Sequence, residues 1–159
     1  MHRRMSVFGA VLFAAAAATS AADRNGATQA EFLDSPAAER RNLPFSEAVR
    51  AGDFLFLAGQ IGDDRATGKV VPGGIAAESR QALQHIKDVL ERNSASLRDV
   101  VKCTVFLADI AEWGTFNSVY REVFKSPYPA RSALGANGLA LNARVEVECI
   151  AYVPAQRAK

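Results

Sequence analysis

Arg131 follows Pro129-Ala130 at the head of an apolar run, and Glu146 and Glu148 stand in the alternating stretch Val145-Glu146-Val147-Glu148-Cys149-Ile150. The two-residue period of a strand puts both glutamates on one face, together with Ile150 and Tyr152. A guanidinium beside a carboxylate held among apolar neighbours can grip an anion with one group and handle a proton or a water with the other. The same residues also describe a structural ion pair or a solvated strand face. The pattern alone leaves that choice open.

Other chemistries find little support. The chain has no phosphate-binding glycine loop, no Gly-x-Ser-x-Gly elbow, no Cys-x-x-Cys pair and no carboxylate cluster at metal-ligand spacing. His85 is the one histidine beyond the N-terminal segment, which argues against a multi-histidine metal site and makes a histidine-based triad hard to build. It lies at the edge of a helical stripe, where a structural or solvated role is expected. Cys103 and Cys149 sit in separate strand-like runs; without a spacing motif they read as buried thiols, although an exported chain could pair them. No metal and no cofactor is expected.

The elements that must carry these groups follow from periodicity and turn chemistry. Phe45–Arg50, the turn Ala51-Gly52-Asp53 and Phe54–Ala58 predict a hairpin, the second strand apolar enough for burial on both faces. Lys69–Val71 reads as a short strand. Ile75–Arg92 is the clearest helix, with Ile75, Ala82, Leu83, Ile86, Val89 and Leu90 on one stripe opposite Glu78, Arg80, Lys87 and Glu91. Val100–Leu107 predicts a strand. Asp109, boxed with Glu112, should cap a second helix whose buried face is Trp113, Phe116, Val119, Tyr120, Val123 and Phe124. Arg131–Leu134 and Val145–Tyr152 close the order, giving an α+β domain with helices on one face of a sheet.

With 159 residues, 49% of them hydrophobic and 23% charged, the chain fits a single folded domain and excludes wholesale disorder. Its start reads as a secretory signal peptide: basic Arg3-Arg4, an uncharged stretch from Ser6 to Ala18, and small residues at Ser20-Ala21-Ala22. Cleavage is expected after Ala22, leaving an irregular lead-in over 23–42, a domain over 43–159, and a periplasmic or secreted protein without stable membrane insertion. Arg3 and Arg4 account for the whole excess of 19 basic over 17 acidic residues, so the chain beyond the leader is formally neutral. That removes the main argument for nucleic acid as a partner.

Taken together, the motifs resemble those of the RidA/YjgF family of reactive-intermediate deaminases. The likeness runs through Pro44-Phe45-Ser46-Glu47-Ala48-Val49, Ala58-Gly59-Gln60-Ile61-Gly62, Thr67-Gly68-Lys69, Gly73-Gly74, Val100–Leu107, Pro129–Gly135 and Val147-Glu148-Cys149. The resemblance implies a chorismate-mutase-like α+β fold with a mixed sheet, a homotrimer, and clefts at its subunit interfaces. It also implies cofactor-free hydrolysis of 2-imino acids or enamines to 2-oxo acids and ammonia. By the same resemblance Arg131 holds the substrate carboxylate, for which a planar fork is better suited than lysine. Glu148 positions the attacking water, while Asn117 and the Gly59 backbone line the pocket.

Three positions depart from the family pattern. Phe45 stands where members with deaminase character commonly have Tyr, Ala58 where they have Ser, and Ala133 where they often have Cys. The lost hydroxyls make the cleft more apolar. A second expectation therefore stands beside the enzyme: a non-catalytic trimer of the cell envelope that binds small carboxylates or apolar ligands in the same clefts.

Overall fold

The computed structural model describes residues 29–36, 39 and 42–154; the leader expected at residues 1–22 lies outside them. In chain order the elements are β1 (Glu31–Leu33), β2 (Ala48–Ala51), β3 (Phe54–Leu57), β4 (Gln60–Ile61), β5 (Asp63–Asp64), β6 (Lys69–Val70), α1 (Gly74–Arg92), β7 (Val100–Leu107), α2 (Trp113–Val123), β8 (Ala130–Gly135) and β9 (Val145–Tyr152). The main sheet runs β1-β2-β3-β9-β7-β8, with β4 also paired to β9, while β5 and β6 form a separate hairpin. The β7–β8 pair is parallel, joined by a crossover through α2, and the other pairs are antiparallel. The mixed α+β architecture is the one the sequence pattern implies.

Alternation decides what the sheet buries. Val145, Val147, Cys149 and Ala151 of β9 join Cys103, Val105 and Leu107 of β7 in one core with Leu83, Ile86 and Leu90 of α1 and Phe116 and Val119 of α2. Both helices thus cover the same face. Each buried Val, Leu, Ile or Phe side chain among them contributes about 1.5–3 kcal/mol through burial. The opposite face bears Phe54, Phe56 and Tyr152, each more than two-fifths exposed. Phe54 contacts Tyr152 at 5.4 Å between ring centroids. The expectation that β3 is buried on both faces is therefore corrected: Leu55 and Leu57 are inside, Phe54 and Phe56 outside.

Other local expectations change for identifiable reasons. The supposedly irregular lead-in contains β1, whose Phe32 and Leu33 pair with Val49 and Ala48; three residues are too few to show a period. Glu78, assigned to the polar face of α1, is buried, where it accepts a 2.7 Å bond from the Arg144 amide. Asp109 caps a short 3-10 turn through the Ala111 amide, and Glu112 bonds Arg144 instead of completing a box. Trp113, at the start of α2, is exposed. Cys103 and Cys149 are disulfide-bonded, not free thiols, because β7 and β9 place them directly opposite each other, with Cα atoms 4.1 Å apart.

Candidate active site

Arg131 lies on β8, the sheet's edge strand, in register with Cys103 of β7. That register turns its side chain toward the helix layer, where α2 presents Phe116, Asn117 and Tyr120 from successive turns. The Arg131 Cζ stands 4.5 Å from the Tyr120 ring centroid and 5.4 Å from that of Phe116. Cation–π contact of this kind orients a guanidinium without neutralising it. One Arg131 N–H donates to the Asn117 side-chain oxygen. No described carboxylate pairs with Arg131. Burial lowers its pKa, with the Arg121 charge adding to the effect, yet a guanidinium stays protonated. Burial pushes the Tyr120 phenol up to about 12. The result is an unneutralised cation at a cleft of about 300 Å³ walled by Trp113, Asn117, Tyr120, Tyr128 and Pro129.

A second cleft, of about 340 Å³, is lined by Leu43, Phe45, Gly59, Ile61, Leu141 and Glu146, among others. Glu146 is opposite Ile61, where β4 joins β9. A Cβ on Gly59 would lie 1.9 Å from Glu146 Oε1, so the carboxylate rests directly on the glycine backbone, an approach no other residue permits without displacement. Burial raises the Glu146 pKa above the ordinary carboxylate value, and the neighbouring Glu148 raises it further. A carboxylate whose pKa is raised is a stronger base toward a bound water.

The structure distributes the sequence-derived candidates as follows. Arg131 and Asn117 meet in the first cleft; Phe45 and Gly59 meet in the second. Ala58 is half-buried beside Gly59, and Ala133 shares the helix-side face of β8 with Arg131, opposite Val105. Glu148 joins neither group: it is exposed, opposite Thr104, in a shallow depression with Phe56 and Lys102. The carboxylate beside Phe45 and Gly59 is Glu146. Period two puts both glutamates on one face, but only the β4–β9 pairing shows which one meets the glycine.

Comparison with known proteins follows this geometry. The family model for Endoribonuclease L-PSP matches residues 35–153. The 2-iminobutanoate/2-iminopropanoate deaminase of Bos taurus is 44% identical over 68% of this chain and 79% of its own length. Its namesake from Dermatophagoides farinae is 39% identical over 76% and 94%. Among solved structures, RidA from the Antarctic bacterium Psychrobacter superposes with a TM-score of 0.67 at 34% identity, covering 70% of this chain and 89% of that one. An Entamoeba histolytica protein described as a putative endoribonuclease L-PSP superposes with a TM-score of 0.73 at 38% identity, covering 79% and 100%. The chain belongs to the RidA/YjgF family.

Proposed function

We propose that this protein is an imine deaminase that converts small 2-imino acids and water to 2-oxo acids and ammonia. The observation that carries the reading is the unneutralised Arg131 guanidinium, stacked on Tyr120 and open to a cleft. Relatives named for this activity support it. Arg131 takes the substrate carboxylate through charge-assisted hydrogen bonds. Glu146, in place of Glu148, takes a proton from water as the oxygen attacks the imine carbon. That proton passes to nitrogen, giving a carbinolamine; Glu146 then relays the hydroxyl proton to nitrogen as the C–N bond breaks, so the carbonyl forms and ammonia leaves.

Arg131 faces the helix layer while Glu146 faces the other way, so the two clefts favour a site shared between copies. A homotrimer that packs the apolar face of Phe54, Phe56, Ile150 and Tyr152 inward would cover that surface and complete the clefts. The Cys103–Cys149 disulfide supports an exported protein in an oxidising compartment. The exposed Phe45 ring favours the second reading, a binder of small carboxylates without chemistry.

The deciding experiment generates the imine in situ with an amino-acid oxidase and follows 2-oxo acid and ammonia. Arg131→Ala should lower kcat/KM about 100-fold, corresponding to roughly 3 kcal/mol for lost hydrogen bonds to a charged group. A wild-type rate equal to the protein-free control would leave the binding reading, which calorimetry with 2-oxo acids then measures.

A further inference from the structure

A connected polar cluster of Arg65, Glu47 and Gln60 lines the same cleft as Gly59 and Glu146, and the chemistry above does not use it. Its centre is Arg65, in the turn of the β5–β6 hairpin. Asp64 shapes that turn by accepting bonds from the Ala66 amide at 2.8 Å and, through its carbonyl, from the Gly68 amide at 2.7 Å. Gly68 adopts φ +68°, which suits glycine. The turn aims Arg65 inward, and its guanidinium reaches three separate segments. Nη1 donates to Glu47 Oε1 at 2.6 Å, Nη2 to Gln60 Oε1 at 2.6 Å and Nε to His85 Nδ1 at 3.2 Å. These three bonds commit three of its five N–H groups.

The connection onward is through Gln60. Its Nε2 donates to the Ala58 carbonyl at 3.1 Å, bracketing Gly59. The Ala58 amide donates to the Glu47 carbonyl at 3.0 Å, which ties the same segment to Arg65's other partner. Gln60 is opposite Val147, the residue after Glu146. The guanidinium thus fixes both ends of the three-residue segment on which the Glu146 carboxylate rests.

We propose that Arg65 is a positioning residue: through Gln60 and Glu47 it holds the Ala58–Gly59–Gln60 backbone in place and thereby sets where Glu146 stands. The proposal deepens the deaminase reading and rests on it for its kinetic arm. Glu47 keeps a second partner, Arg92 Nη2 at 2.8 Å, so removing Arg65 does not strand a buried carboxylate. Lysine at this position would keep the charge but could not reach three directions together.

The test compares wild type, Arg65→Ala and Arg65→Lys. Both variants should lower kcat by about ten- to a hundredfold, the scale of a small misplacement at a reacting centre, with KM little changed because Arg131 holds the carboxylate. Both should also shift the Gly59 amide resonance and move the Glu146 carboxyl titration toward the ordinary range, read by NMR. Arg65→Lys, which retains the ion pair, supplies the result if Arg65→Ala does not fold. Wild-type kcat with an unmoved Gly59 resonance in either folded variant overturns the proposal. Where wild type itself proves inactive, the deaminase reading fails, and the Gly59 and Glu146 resonances alone decide the role of Arg65.

Discussion

Arg131 and Glu148 lie one register step apart across β8, β7 and β9, yet their side chains leave opposite faces of the sheet. Arg131 is in line with Cys103, and Glu148 with Thr104. A single residue of offset reverses the direction of a strand side chain. Glu146 shares that outer face with Glu148 but alone rests on Gly59 in the second cleft, so Glu146→Gln should lower kcat on the order of 10²- to 10⁴-fold, while Glu148→Gln stays near wild type. Equal losses in the two variants would contradict the assignment.

The pH profile gives a second check on Glu146. Burial and Glu148 raise its pKa, and its base form is the active one, so the rate should fall with acid at a pH above the ordinary carboxylate value of 4.5. The sign for stability is opposite. A raised folded-state pKa means that the contribution is present at low pH and lost as pH rises through that value. Glu146→Gln should melt higher than wild type at neutral pH, and the gap should close below the ordinary carboxylate range.

His85 governs stability from the other side. Its Nδ1 accepts from Arg65 and its Nε2 stands 2.8 Å from the Asp63 carbonyl, an arrangement that fits a neutral ring with the proton on Nε2. Burial lowers its pKa below 6.5, Arg65 also opposing the charge while Asp63 and Asp88 favour it. A depressed folded-state pKa contributes stability above the unfolded value that is lost as pH falls through the folded one. Thermal melts should show this loss below pH 6.5, and His85→Gln should flatten that part of the curve.

Closing a loop of 46 residues, the Cys103–Cys149 bridge should stabilise by about 4 kcal/mol on chain entropy. The measurement is denaturant unfolding with and without reductant. Two thiols titrating in the unreduced, unfolded protein would show that the bridge is absent.

Phe56→Glu places a charge on the open apolar face without touching the core. Light scattering should report a monomer, and imine hydrolysis should fall with it. An active monomer would place the whole site within one chain.

The sequence was most legible where many residues share one period. The α1 stripe and the runs Val100–Leu107 and Val145–Tyr152 have boundaries within a residue of those observed. Arg131 was legible because its neighbours Pro129, Ala130 and Ser132 form a motif. Glu146 could not be separated from Glu148, since alternation treats them alike and the Gly59 contact depends on how distant strands pair. The disulfide was hidden for the same reason: only the β7–β9 register sets its cysteines opposite each other. Arg65 carried no local signal, because its partners lie 18, 5 and 20 residues away.

The stack of Arg131 on Tyr120 bears on how tightly an anion can be held. A free arginine side chain carries roughly 2 kcal/mol of rotamer freedom, which a ligand must ordinarily freeze out. Here Tyr120, Phe116 and Asn117 have fixed the fork during folding. Affinity for a small carboxylate then reflects the hydrogen bonds formed more than order imposed on arrival. A ligand with few other handles can be recognised on that preorganised fork alone.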